Sequence, residues 1–199
     1  MPLELLPQVL SDLPIPASDP ALLEALSQPR LALFWGAHTP SRTLLAAATV
    51  MAAGGAAVRL FDGGNSFDGY FVARLARRLT VDTHAVLDRL RLSRAFTCFQ
   101  LAELIETSPA GPDPLFVLDL LSTFYDESIP LRDSERLLAV TLTHLKRLAA
   151  AGPVIVGARE PQTLVKERWT LLDRLQTAAD SAWMLRAPAP AESLQPRLF

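Results

Sequence analysis

Six short apolar runs, each parted from the next by segments of helical period, leave few architectures open to residues 31–186. The runs are LALFW (31–35), AAVRLFD (56–62), LRLSRAF (90–96), LFVLDL (115–120), PVIVGAR (153–159) and SAWMLR (181–186). Runs that are apolar on both faces suit strands covered by helices on each side. Alternation with helices is the pattern of βαβ units around a mostly parallel sheet, so an α/β fold with six strands is expected.

The intervening segments carry their own start and stop signals. SRTLLAAATVMAA runs into Gly54 and Gly55, a helix stop, and its alanines allow close approach to a sheet. Further helices are expected over 67–79, over 82–89 with Asp82 as cap, and over 98–107. Another should open at Asp133 or Ser134 and run to Gly152, and the last should span 161–178. Residues 1–30 read as an N-terminal helical segment packed on the core, with Asp19 and Pro20 in favoured starting positions. Residues 187–199 form a proline-rich tail without periodicity, expected to be flexible or extended.

Composition narrows the chemistry. Half of the 199 residues are hydrophobic and a fifth charged, as in a globular domain with a large interior. No apolar run reaches the roughly 18 to 20 residues that span a bilayer, and the N-terminus lacks the basic flank of a secretory signal, so a cytoplasmic location is expected. Cys98, the one cysteine, permits no internal disulfide and is read as a packed thiol. His38, His84 and His144 share no metal-ligand spacing. The formal net charge of −2 excludes a broad basic footprint but leaves local basic patches open.

After the first strand comes Gly36-Ala-His-Thr-Pro-Ser-Arg-Thr43, where α/β folds bind phosphate through backbone N–H groups and a helix N-terminus. Against the phosphate-loop pattern, the first glycine and the final threonine are present. Ser41 stands at the second glycine and Arg42 at the lysine. The second strand runs into LFDGGNSFD, and the fourth supplies LFVLD with Asp119, which resembles a Walker B aspartate. LRLSRAFTCFQLAELIE resembles a segment of archaeal and eukaryotic strand-exchange recombinases, an arginine-alanine-aromatic strand end followed shortly by glutamine.

Together these residues resemble the RecA/recombinase superfamily, with KaiC-like ATPases as cousins, over residues 31–186. The resemblance implies a three-layer RecA-like core of P-loop NTPase type. It implies a nucleotide site at Gly36, Ser41, Arg42, Thr43 and Asp119, with ATP and Mg²⁺ as the cofactor and Thr43 and Asp119 as the metal ligands. Read bottom-up, Thr43 can equally be a first-turn helix residue and Asp119 a hydrogen-bonded strand end. The departures concern catalysis, and no catalytic residue is assigned. Gly64 stands where the family's water-polarising glutamate belongs, Arg42 is wider than lysine, and Pro40 removes one N–H from the cradle.

Family members place DNA-binding loops after the fourth and fifth core strands. The first of these, LSTFYDESIPLRDSE, is acidic. The second holds Arg159, Lys166, Arg168 and Trp169, which form either a contact surface for a single strand or an ordinary amphipathic helix with a buried tryptophan. Arg74, Arg77 and Arg78 form a further local patch, read as a solvated helix face. The expected function is that of a RecA-like accessory of DNA repair or recombination, binding a RecA-family partner, DNA, or both. One alternative is a weak ATPase in which Asp62 or Asp68 orients water. Another is a regulator like the SulA-type cell-division inhibitors. Edge-to-edge homo-oligomers are a further implication of the resemblance.

Overall fold

All six apolar runs form strands: β1 (Leu31–Gly36), β2 (Val58–Asp62), β3 (Leu90–Arg94), β4 (Leu115–Leu118), β5 (Val154–Arg159) and β6 (Ser181–Met184). The computed structural model describes Leu26, residues 28–162 and residues 166–185. Most of the N-terminal segment expected over 1–30, and the whole tail 187–199, lie outside the described residues. The strands form one sheet in the order β3-β2-β4-β5-β1-β6, and every pairing is parallel. Each parallel neighbour needs a crossover, which the helical segments supply.

Burial follows position in the sheet. β4 and β5, both central, are buried along nearly their whole length, as the doubly apolar runs require. β3 and β6 occupy the edges, and both are only partly buried. Six helices with described bounds pack on the faces. α1 (Ser41–Ala53), α2 (Gly69–Leu79) and α3 (Thr83–Asp88) contribute to the apolar cluster on one side. α4 (Cys98–Thr107), α5 (Leu131–Ala149) and α6 (Trp169–Ala178) contribute to the cluster on the other. The result is an α/β fold with an all-parallel sheet between two helical layers, consistent with a three-layer RecA-like domain.

Asp82 caps α3 as expected, by accepting from Ala85 N–H, and Asp68 and Thr97, for which no such role was expected, cap α2 and α4 by accepting from Phe71 and Gln100 N–H. α1 is buried over ten of its residues, which its alanines permit, and it stops before Gly55 at φ 104°.

Two helix starts differ from expectation. α5 begins at Leu131 behind Pro130, whose carbonyl accepts from Asp133 and Ser134 N–H. The Ser134 hydroxyl is taken by Arg168 instead of capping a helix. α6 begins at Trp169, after a 3₁₀ turn over Lys166–Arg168, rather than at 161. Pro161 biases the residue before it away from helical backbone. No helix among the described residues is long and apolar enough to cross a membrane.

Candidate functional site

Because all strands run one way, the C-terminal ends of β1, β2, β4 and β5 bring Gly36, Asp62, Leu118 with the adjoining Asp119, and Arg159 to one rim of the sheet. In open α/β sheets that rim is the usual place for a ligand.

The turn from β1 into α1 is drawn down onto the sheet. Pro40 is buried at the N-cap, and its Cγ lies 3.2 Å from where a Cβ on Gly157 would stand. Gly36 has a structural reason of its own, since a Cβ there would drive into the carbonyl oxygen of Leu185, just beyond β6. Ser41 donates to the Ser66 hydroxyl at 2.7 Å and shares a 2.8 Å hydrogen bond with Thr39. Arg42 is turned aside, its guanidinium 5.0 Å from the centre of the Phe71 ring. Thr43 is buried in the first turn of α1.

Both rim aspartates are buried and internally engaged. Asp62 accepts from Ser66 N–H at 2.9 Å and Phe67 N–H at 3.2 Å, and pairs with Arg94 Nε at 3.2 Å. It therefore ties the β2–α2 loop to the end of β3. Asp119 adopts φ 50° immediately after β4. One of its oxygens accepts from Arg159 N–H at 3.3 Å, and the other faces Arg159 Nε at 3.4 Å. Burial pushes its carboxyl above the ordinary aspartate range, against the pull of Arg159 and with a smaller push from Asp62.

The glycines of the β2–α2 loop are explained by this crowding. A Cβ on Gly64 would lie 2.6 Å from the Asp119 Cβ and 2.7 Å from its Oδ2, and one on Gly63 would meet Leu101 Cδ2 at 2.7 Å. The rim thus holds two polar networks, one that gathers Thr39, Ser41, Ser66 and Arg94 around Asp62 and one that joins Asp119, Arg159 and Ser122. A Mg²⁺ ion between Thr43 and Asp119 would compete with Arg159 for both carboxylate oxygens. Among the described residues no group of three His, Cys, Asp or Glu side chains could hold a metal ion. Asp68, the other carboxylate considered for orienting water, serves as the cap of α2. With Ser41 bonded to Ser66 and both Asp119 oxygens turned to Arg159, the side chains present do not fit a magnesium–nucleotide cradle.

Of the four residues read as a strand-binding surface, Arg159 and Arg168 are engaged by the protein's own acceptors. Arg159 turns to Asp119 and donates to the Ser122 hydroxyl at 2.8 Å. Arg168 is 5% exposed and donates to the carbonyls of Phe124 and Ile129, each at 2.6 Å. Trp169 is half-buried against the core beneath α6, while Lys166 opens the 3₁₀ turn before it. Sequence reading passed over a different group of residues. Tyr70, Phe96 and Phe99 are exposed aromatics at the β2–β3 end of the molecule, and their one sequence signal is an aromatic pair within RAFTCFQ. Compared with models of known protein families and with curated proteins, the sequence matches none.

Proposed function

We propose that this protein is a RecA-like accessory of DNA repair or recombination, which acts by binding a RecA-family partner, DNA, or both, and not by efficient ATP hydrolysis. The observation that carries the reading is the contact between Gly64 and Asp119. At the position where a RecA-like ATPase would hold its water-polarising glutamate, the space that a side chain needs is taken by the Asp119 carboxylate. The engaged Ser41 hydroxyl, the Arg42 side chain lying on Phe71 and the buried Pro40 support the same conclusion. A fold that keeps its sheet while its phosphate turn is closed by its own side chains retains surfaces for recognition, and surfaces rather than folds carry function.

The test is capture of the host recombinase by the purified chain, run beside a DNA-binding titration over a range of salt and a phosphate-release assay with ATP and Mg²⁺. Capture or DNA binding with background phosphate release is expected. Silence in both binding assays, or brisk turnover that an Asp119→Ala variant abolishes, would overturn the reading.

A further inference from the structure

Charge is unevenly spread along the chain. Between Gly69 and Ala95 there are six arginines and two aspartates, six minus two giving +4, in a protein whose formal net charge is −2. This segment builds α2, α3 and β3, the edge strand that, among the described residues, pairs with β2 alone. Arg74, Arg77 and Arg91 are exposed. Arg94 is held by Asp62 and Arg89 by the Ala52 carbonyl, and the exposed remainder leaves a local positive excess around the β3 edge of an acidic molecule, which fits a polyanion.

Three aromatic rings stand at the same end. Tyr70 is 75% exposed in the first turn of α2, Phe96 is 71% exposed just after β3, and Phe99 is 56% exposed in the first turn of α4. The β2–α2 loop and the end of β3 are fastened together by the Asp62–Arg94 pair and by Ala95 N–H donating to the Asp62 carbonyl at 3.0 Å. Tyr70 and Phe96 therefore belong to one corner of the C-terminal rim. Two arginines already lie over rings in this region, Arg74 over Tyr70 at 6.0 Å and Arg42 over Phe71 at 5.0 Å.

Exposed rings interleaved with arginines are the chemistry by which proteins hold unpaired bases and their phosphates. A duplex offers no unstacked base to such rings. We propose that the β3 edge and the start of α2 bind single-stranded nucleic acid, with Tyr70, Phe96 and Phe99 as stacking rings and Arg74, Arg77 and Arg91 as phosphate contacts. The inference rests on the preceding reading only insofar as that reading includes DNA, and it moves the contact surface away from Arg159, Lys166, Arg168 and Trp169.

The experiment is a fluorescence-anisotropy titration of the full chain with a labelled oligothymidylate, at several salt concentrations, with a hairpin duplex as competitor. The single strand should bind more tightly than the duplex, and binding should weaken steeply with salt. A Tyr70→Ala/Phe96→Ala double variant should lose roughly tenfold or more in affinity while its melting temperature stays close to that of the parent. Phe96→Leu, which keeps bulk and removes the ring, should also bind more weakly. Arg74→Gln with Arg91→Gln should lower the salt slope by about 1.4, and Arg132→Gln in α5 should leave affinity unchanged. No binding at low salt, preference for the duplex, or undiminished binding by the ring variants would overturn the proposal. Capture of the recombinase by a chain that ignores the oligonucleotide would overturn this inference and leave the accessory reading standing.

Discussion

Asp119 holds its proton to a higher pH in the folded chain than it would in an unfolded one, because burial outweighs the attraction of Arg159. Protonation therefore favours folding. The stabilisation is complete below the ordinary aspartate range and is lost as pH rises through the higher folded value. Asp119→Asn removes that titration, and asparagine tolerates the φ of 50° found at this position. In urea titrations the variant should gain on the parent between pH 4 and pH 7. An equal difference at both pH values would contradict the assignment. Arg168 makes the opposite kind of contribution, since its guanidinium satisfies the carbonyls of Phe124 and Ile129 and the Ser134 hydroxyl inside the protein. Arg168→Met should leave those acceptors unpaired and lower stability by about 2–4 kcal/mol, measured by urea denaturation. A stable variant with selectively weakened DNA binding would instead place Arg168 on a contact surface.

Among the elements, β6 stands at an edge of the sheet and, among the described residues, joins it through β1. It adds to β1 through Ala32–Trp35, it is followed by Leu185 N–H donating to the Trp35 carbonyl at 2.7 Å, and Trp183 stacks on Phe34 with ring centroids 5.0 Å apart. Gly36 lets the chain beyond β6 come this close, since a Cβ would strike the Leu185 carbonyl. Gly36→Ala should push that segment outward, lower stability by about 1–3 kcal/mol and shift native tryptophan emission to longer wavelength as Trp183 gains exposure. An unchanged spectrum and urea midpoint would refute the contact. Element by element, periodicity found all six strands, because alternation of apolar and helical segments reflects local backbone geometry. The starts of α5 and α6 were less legible. Ser134, a cap candidate by its letter, is engaged by a partner that sequence spacing does not reveal, Arg168, 34 residues further along the chain.

For the whole molecule, the parallel sheet between two helical layers could be read from residues 31–186, since each strand needed a crossover and each crossover needed an apolar sheet face to cover. The absence of a lysine at position 42 and of a carboxylate at position 64 was likewise plain in the letters. The roles of Asp62 and Asp119 were not, because an aspartate at a strand end looks the same whether it serves a cation or the protein's own arginine. Arg94 lies 32 residues from Asp62, and the Arg159 backbone N–H that donates to Asp119 lies 40 residues away. Only closure of the sheet in the order β3-β2-β4-β5-β1-β6 sets such partners side by side. The repeat of helix and strand geometry is local and leaves its period in the sequence. Which arginines turn inward and which stay in water depends on neighbours that meet only after the chain has folded.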